Sequence, residues 1–433
     1  MSPTTIGLVG LVILVIILFS RMPVGFVMAI VGFAGFTYLV SMDSALRVLA
    51  KDFYAMFSSY NMTVVPLFIL MGQITFHAGI SRRLFDTAYK IFDYLPGGLA
   101  IATVGACAGF AAICGSTNAS VATLTTVALP EMKRYKYGTS LSTGSIAAGG
   151  TLGILIPPSV IFIIYGIATE QSIGKLFAAG ILPGIILSLF FCVTVFIWAK
   201  LRPGEAPRGR KTTFKEKALA LSGVTETLLL FLLVMGGLFR GFFTPTEAGA
   251  IGVGGAIILG LARRRLTWRG FSQAVTESTR ISCMVLVIVS GAIMFGHFLA
   301  ITRVPYVAAN WIGALPLPNY AIMGVIVVIY LIGGCFMDAL AMILLTIPIL
   351  FPLVTAMGYD PIWFGVIIVL VAEMGAITPP VGINVYVLSG IARDIPLETI
   401  FKGALPFVLS LLACVALLIA FPQIALLLPN LMK

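Results

Sequence analysis

The sequence predicts an all-α protein that crosses a membrane many times and contains two related halves. Hydrophobic residues occupy 60% of the 433 positions and charged residues 10%, which is more apolar surface than one soluble core can bury. Apolar runs of roughly 20 residues, the length that spans a bilayer, recur along the chain. The pattern Gly-x-x-x-Pro-Pro occurs at 153–158 and at 375–380. Each copy lies inside an apolar run, where a Pro pair should break a helix, and paired broken helices point to a transport site near the bilayer midplane.

The positive charge marks one side of the membrane. The formal net charge is +11, and the basic residues cluster in four polar loops, around 82–90, 133–136, 200–217 and 263–269. Such clustering is typical of the positive-inside bias of cytoplasmic loops. A role in nucleic-acid binding is therefore not predicted, and binding of anionic lipid headgroups is a secondary alternative.

The first half begins with N-terminal helices in residues 1–61. The run 5–20 has no basic residue before it and no small-residue cleavage site after it, so we interpret it as a retained helix rather than a signal peptide. Segment 62–78 then runs inward to Arg82 and Arg83.

Segment 97–131 is predicted to be a re-entrant helical hairpin. Basic residues flank both of its ends, and Gly115-Ser116-Thr117-Asn118 interrupts it, leaving arms too short to span. Segment 140–168 then runs outward as a broken helix, interrupted between Gly149 and Pro158. Segment 176–198 returns to the cytoplasmic side.

The basic loop 200–217 is the natural boundary between the halves, and residues 200–280 are predicted to hold this loop and linking helices. Segment 218–239 runs out and segment 246–262 comes back. Between them, Thr244-Pro245-Thr246-Glu247 has the residues of a capping box, with Pro at the first helical position.

The second half repeats the order of the first. Segment 281–301 runs outward. A second hairpin, 319–357, is interrupted at residues 333–338, and a second broken helix, 362–390, runs inward with its break at 375–380. Segment 399–428 then runs out again.

The two halves align with a nearly constant offset. Pro157 and Pro379 lie 222 positions apart, and the hairpin residues Asn118 and Asp338 lie 220 apart. Segment 62–78 runs inward whereas its counterpart 281–301 runs outward. Residues 62–199 and 281–428 are therefore predicted to be inverted-topology repeats, an arrangement common in secondary transporters.

The interrupted segments predict cation sites. A carbonyl-rich hairpin tip beside a carbonyl-rich helix break can enclose a small hard cation with oxygen ligands, and exposed amides at helix N-termini can hold an anion. The first such cage would use Ser116, Thr117, Asn118, Gly150, Thr151 and Gly153. The second would use Asp338, Gly375 and Thr378.

Three polar residues near these breaks have two interpretations each. Asp338 is an acidic residue in an apolar hairpin, so it is either a cation ligand or a helix N-cap, and both roles are compatible. Glu373 lies one turn before the second break and is either a proton or ion ligand or a partner of a neighbouring helix. Asn384 either faces a substrate or makes a polar interhelical contact.

Other chemistry finds no support in the sequence. The six cysteines lie in apolar segments without a Cys-x-x-Cys pair, and no phosphate-binding loop, His-Glu-x-x-His or Gly-x-Ser-x-Gly motif occurs. No organic cofactor is predicted. Energy should therefore come from an ion gradient, unless a separate subunit supplies ATP hydrolysis.

These motifs together resemble the large membrane subunit, DctM-like, of tripartite ATP-independent periplasmic (TRAP) transporters. The resemblance covers nearly the whole chain and is carried by stretches in this order: Gly115 to Ser120, Gly153 to Ser159, Phe243 to Ala248, Met337 to Ala339 and Gly375 to Gly382.

The resemblance implies a sodium-coupled symporter of the bacterial inner membrane with an elevator mechanism. Its hairpins and broken helices would form a moving transport domain, and the remaining helices a scaffold. The expected partners are a soluble DctP-like periplasmic binding protein and a small four-helix DctQ-like membrane subunit, which we expect on a separate chain. The expected substrate is an organic acid, such as a C4-dicarboxylate, sialic acid or a similar carboxylate.

The resemblance also implies site residues. A first sodium site would use Ser116, Asn118, Gly150 and Gly153. A second would use Asp338, Ala376 and Thr378. The substrate would lie between the tips, near Thr117, Ile156 and Asn384.

Three alternatives remain. In an ion channel the hairpins would be pore loops, although pores usually repeat identical subunits around an axis. Another alternative is an ion-coupled anion transporter that works without a binding protein. A membrane-embedded enzyme would need a nucleophile, a base and an orienting group, which the intramembrane polar residues do not supply.

Overall fold

The computed structural model describes residues 2–18, 20, 22–207, 213, 216–217, 220–313 and 317–432. Within these ranges the chain forms α-helices and short 3-10 turns without a strand, so the predicted all-α class is confirmed. The helices up to the central loop are α1 (Pro3–Leu18), α2 (Val24–Leu39), α3 (Met42–Phe57), α4 (Val64–His77), α5 (Ile80–Phe92), α6 (Gly98–Cys114), α7 (Thr117–Arg134), α8 (Thr139–Leu155), α9 (Val160–Ala168) and α10 (Ile173–Leu201). The helices after it are α11 (Thr225–Phe239), α12 (Pro245–Ala262), α13 (Trp268–Thr302), α14 (Val304–Gly313), α15 (Asn319–Gly334), α16 (Ala339–Ala356), α17 (Pro361–Gly375), α18 (Ile383–Ile391), α19 (Leu397–Ala420) and α20 (Gln423–Leu431).

Several described helices are long and apolar enough to cross a bilayer. Five pass by length and composition, namely α10, α12, α13, α16 and α19. Two bent pairs raise the count to as many as seven, with a 57° bend between α3 and residues 60–77 and a 41° bend between α8 and α9. The prediction of a polytopic membrane protein is thus confirmed, and the inversion of the two halves stays a prediction.

Both predicted hairpins and both predicted broken helices consist of two helices with an interruption. Gly115 and Ser116 separate α6 from α7, and residues 335–338 separate α15 from α16. In the broken helices, residues 156–159 separate α8 from α9 and residues 376–382 separate α17 from α18. The second break therefore extends beyond the Pro pair. The peptide bonds Pro157–Pro158 and Pro379–Pro380 are both cis.

Some segments differ from the sequence prediction. Segment 281–301 belongs to the 35-residue helix α13, which begins at Trp268, so the predicted boundary at 281 lies inside a helix. Segment 399–428 divides into α19 and α20, because Pro422 has no N–H to donate and disfavours a helical conformation at Phe421. Within the predicted boundary loop and the start of segment 218–239, residues 208–212, 214–215 and 218–219 lie outside the described residues.

Close helix packing positions the interrupted segments. Helix α2 packs along α13, where a Cβ on Gly25 would lie 2.8 Å from the Cα of Ile288. Helix α8 packs against α6, α7 and α19, and each of its residues from Leu141 to Leu155 is buried. Small residues allow such approach between membrane helices. Helix α8 thus carries its Gly-rich end into the middle of the protein.

Candidate functional site

The first hairpin tip lies directly against the first helix break. Gly115 ends α6 with φ 62°, a left-handed conformation that glycine adopts without strain. Ser116 then caps α7 by accepting a hydrogen bond from the N–H of Ala119 at 3.4 Å. A Cβ on Gly153 would lie 2.8 Å from the Ser116 carbonyl oxygen, and a Cβ on Gly115 would lie 2.6 Å from the Pro158 carbonyl oxygen. The glycines therefore allow two backbone segments rich in carbonyl groups to meet.

The second hairpin tip meets the second break in a similar way. Asp338 caps α16 by accepting a hydrogen bond from the N–H of Leu340 at 3.1 Å. The N–H of Gly382 donates to the Cys335 carbonyl oxygen at 3.4 Å. A Cβ on Gly334 would lie 2.8 Å from the Ala372 carbonyl oxygen. Each half of the chain thus joins its own tip to its own break.

A buried polar cluster connects the two tip-and-break units. The side chains of Thr117 and Asn384 lie within interaction range of the Glu373 carboxylate. Thr117 begins α7, Glu373 lies in the last turn of α17, and Asn384 lies in the first turn of α18. The exposed fractions of these residues are 7%, 4% and 1% respectively. Two distant parts of the sequence, the first hairpin tip and the flanks of the second break, therefore place polar side chains at one buried point.

This cluster is anchored to α8 by a hydrogen bond between the halves. The side-chain amide of Asn384 donates to the Ala147 carbonyl oxygen at 3.3 Å, and the N–H of Asn384 donates to the Ala376 carbonyl oxygen at 3.0 Å. Among the described residues, the buried oxygens Thr117 Oγ1, Glu373 Oε2 and Asn384 Oδ1 have no hydrogen-bond partner within 3.5 Å. Buried polar atoms are normally satisfied, so this cluster is a candidate ligand site.

The residues predicted for the first cation site are brought together in part. Ser116 and Gly153 are neighbours, and Gly150 lies near the Thr117 carbonyl oxygen, 3.5 Å from the position of an added Cβ. Asn118 lies in the first turn of α7 and its side chain is exposed.

The residues predicted for the second cation site surround the second break. Asp338 is partly exposed, and its role as an N-cap is confirmed. The Ala376 carbonyl accepts from Asn384, and the Thr378 hydroxyl donates to the Met374 carbonyl oxygen at 2.7 Å. Each of these groups already has one protein partner, and each carbonyl or carboxylate oxygen retains a lone pair for a cation.

The three residues predicted to contact the substrate do not all lie together. Thr117 and Asn384 meet at the buried cluster, whereas the Ile156 side chain packs close to Gly184 of α10. The break at 156–159 is extended at Ile156, with φ −79° and ψ 124°. This conformation ends α8 and places the side chain of Ile156 against α10.

Glu373 and the Ala147 carbonyl both contribute to the site, but only Glu373 could be identified from the sequence. The sequence allows two interpretations of Glu373, an ion ligand or a partner of a neighbouring helix, and the structure places it beside polar groups of both halves. The Ala147 carbonyl that holds Asn384 carries no sequence signal, because any residue in a buried helix offers the same group. Capping positions were easier to predict, and the capping box of Thr244 and Glu247 is confirmed.

Apolar cavities lie away from the tips. One of about 270 Å³ lies between α9, α13 and α16 and is lined by apolar residues such as Ile164, Val289 and Leu344. Another of about 780 Å³ lies between α10 and α19, and its lining includes Arg202 and Lys402. Neither lining includes a residue of the polar cluster.

Comparison with known proteins identifies relatives over nearly the whole chain. A family model described as "Tripartite ATP-independent periplasmic transporter, DctM component" matches residues 11–424. The C4-dicarboxylate TRAP transporter large permease protein DctM of Pseudomonas aeruginosa is 35% identical over 91% of this chain and 92% of its own length. The sialic acid TRAP transporter large permease protein SiaM of Vibrio cholerae is 32% identical over 96% of both chains.

Solved structures of transporters share the fold. The YdaH transporter of Alcanivorax borkumensis superposes with a TM-score of 0.64 at 15% identity, covering 89% of this chain and 91% of that one. MtrF of Neisseria gonorrhoeae gives a TM-score of 0.59 at 13% identity, covering 99% and 95% respectively. At these identities the likeness concerns the fold alone.

Proposed function

This chain belongs to the DctM component family of tripartite ATP-independent periplasmic transporters, and we propose that it is the permease through which a small organic acid is imported. One observation supports this most directly. Each hairpin tip lies against a broken helix, and the first tip meets the second break at a buried polar cluster of Thr117, Glu373 and Asn384. Polar groups buried inside membrane helices are costly and are usually functional.

The substrate we propose is a carboxylate. The relatives are named as permeases for a C4-dicarboxylate and for sialic acid, and a third, YiaN of Escherichia coli, for 2,3-diketo-L-gulonate. All three substrates are organic acids. The N-terminal turn of α7 supplies backbone N–H groups suited to an anion, next to Thr117 and Asn384. Ile156 packs on α10 and contributes less directly.

Coupling to sodium is the proposed energy source. The tip and break of each half offer mostly backbone carbonyls, with a hydroxyl or a carboxylate, and such oxygens suit a small hard cation. The first site would use Ser116, Asn118, Gly150 and Gly153. The second would use Asp338, Ala376 and Thr378.

We propose an elevator movement of the hairpins and broken helices against α13. The cavity between α9, α13 and α16 is lined by residues with apolar side chains, so a displacement there would break no hydrogen bonds between lining side chains. In the tight α2–α13 contact, by contrast, backbone atoms approach one another. We expect the apolar cavity to mark the boundary where the moving helices pass the scaffold, and the tight α2–α13 contact to lie within the scaffold.

The proposed partners are a periplasmic binding protein that delivers the acid and a small four-helix membrane subunit, all acting at the bacterial inner membrane. The word tripartite in the family description supports three components. A relative named DctMQ in Oleidesulfovibrio alaskensis is 36% identical over 91% of this chain and 62% of its own length. We propose no enzymatic activity.

Uptake into proteoliposomes tests the proposal. The full chain, reconstituted with its two partners, should accumulate labelled C4-dicarboxylate or sialic acid when a sodium gradient points inward. Accumulation that is unchanged without sodium would refute the coupling. Counterflow separates a carrier from a channel, because unlabelled internal substrate accelerates labelled entry only through a carrier. A chemically altered product would instead indicate an enzyme.

A further inference from the structure

We infer that Glu373, Thr117 and Asn384 form a binding site for one monovalent cation, separate from the two sites proposed at the hairpin tips. The inference rests on the proposed function as an ion-coupled permease. It adds a third ion position, placed where the two halves of the chain meet.

The first argument is the donor set. The three side chains bring a carboxylate, a hydroxyl and an amide carbonyl, each with a buried oxygen that has no hydrogen-bond partner among the described residues. Oxygen ligands of this kind prefer hard cations such as sodium over softer transition metals. Each residue is more than nine-tenths buried, so bulk water does not replace a bound ion at this position.

The second argument is charge. The charged group that acts on Glu373 within the described part of the chain is Asp338, another carboxylate. Within the described ranges, no basic side chain is among the groups that interact with either residue. Leaving a carboxylate unpaired in a membrane interior is costly. A single carboxylate at the cluster matches one positive charge better than a divalent ion, which recruits several carboxylates.

The third argument is preorganisation. Asn384 donates its amide N–H to the Ala147 carbonyl oxygen, which leaves its own carbonyl oxygen available. The hydroxyl of Thr117 lies at the start of α7, one residue after the Ser116 cap. Helices α7, α8, α17 and α18 therefore hold the ligands before an ion arrives, and this reduces the cost of ordering them on binding.

A cation at this position would have a consequence for coupling. Thr117 and Asn384 are also the side chains proposed to meet the substrate. A bare Glu373 carboxylate beside them would repel an organic acid, whereas a cation bound to Glu373 would cancel that repulsion. Binding of the third ion would thus favour binding of the acid, and by linkage the acid would favour the ion to the same degree.

Equilibrium binding of radioactive sodium to the full chain in lipid nanodiscs tests the inference. Glu373→Gln keeps the shape of the side chain and removes its charge, so it should bind one sodium ion fewer than the wild type. Thr117→Val removes one ligand oxygen and should weaken one class of sites on the order of tenfold. The matched control is Thr125→Val on the same helix, because that buried hydroxyl already donates to the Val121 carbonyl oxygen at 2.7 Å, and its sodium binding should equal that of the wild type.

The outcomes separate this inference from the function on which it rests. Wild-type protein without saturable sodium binding would refute the sodium coupling as a whole. Normal sodium stoichiometry in Glu373→Gln would refute only the third site. If that variant also lost a pH dependence of uptake between pH 6 and 8, the cluster would hold a proton instead. If Glu373→Gln does not fold, equal sodium affinities in Thr117→Val and Thr125→Val would overturn the inference.

Discussion

Replacing Gly153 by alanine should separate the first hairpin tip from the first helix break. The added Cβ would lie 2.8 Å from the Ser116 carbonyl oxygen, 2.9 Å from its carbonyl carbon and 3.0 Å from the Thr117 nitrogen. Ordinary contacts begin at 3.4 Å, so the backbone at the tip must move by roughly 0.6 Å. These neighbours are backbone atoms, which cannot rotate away as a flexible side chain can.

Such a displacement exceeds what an ion site tolerates. Ligand distances in metal sites usually hold within about 0.2 Å, so sodium affinity should fall at least tenfold, or about 1.4 kcal/mol. Overpacking of this kind costs about 1–3 kcal/mol of stability. The higher helix propensity of alanine offsets up to ~1 kcal/mol of that, so a functional loss would not reflect a weaker helix.

The assay compares Gly153→Ala with Gly254→Ala, both glycines within helices. A Cβ on Gly254 would have no atom of the described residues within 4 Å, so this control should retain sodium binding and uptake. The increase in melting temperature of the purified chain with sodium concentration reports sodium binding, and it can be measured without knowledge of the substrate. Equal sodium affinity in Gly153→Ala and the wild type would show that the contact between tip and break is not part of an ion site.

Three further changes test other parts of the site. Asp338→Asn should lower sodium-driven uptake at least tenfold while the protein still inserts, and wild-type uptake at every sodium concentration would leave Asp338 as a cap alone. Replacing Pro157 and Pro158 together by alanine should reduce uptake severalfold, because the restored N–H groups allow the helix to continue, and an unchanged rate would remove the functional meaning of the break. The hydrogen bond from Lys133, at 2.6 Å, lowers the pKa of Asp394. The stabilising contribution of the Asp394 carboxylate is therefore present above the ordinary aspartate pKa and is lost as pH falls through the lower pKa of the folded state. The melting temperatures of Asp394→Asn and the wild type should differ at pH 7 and converge in acid. A difference that does not depend on pH would contradict this.

Local chemistry made much of the fold predictable. Proline pairs, glycines and capping residues affect the backbone conformation of residues only a few positions away. The hairpins, the breaks at Pro157 and Pro379 and the capping box at Thr244 could therefore be predicted from the sequence. Helix ends that depend on packing were harder. Thr267 caps the start of α13, but the apolar run that marks this helix in the sequence begins only near residue 281. The resemblance places Thr117 and Asn384 near one substrate, but the position of Glu373 beside them could not be derived, because it depends on how α7, α17 and α18 pack together.

The contacts between the halves bear on how the protein moves. An elevator requires both hairpins and both broken helices to travel as one body, and several contacts cross between them. Asn384 is bonded to the Ala147 carbonyl oxygen, α7 packs against α18, and Lys133 at the end of α7 is paired with Asp394 after α18. Independent opening of one tip-and-break unit would break this buried hydrogen bond and the packing between α7 and α18 together. Displacement along the apolar cavity between α9, α13 and α16 would break neither, so movement of the two units together is favoured. A disulfide between α7 and α18, which both belong to the moving body, should therefore leave uptake intact. A disulfide between α13 and α16 should stop it, and the opposite pattern would favour local gating over a rigid-body movement.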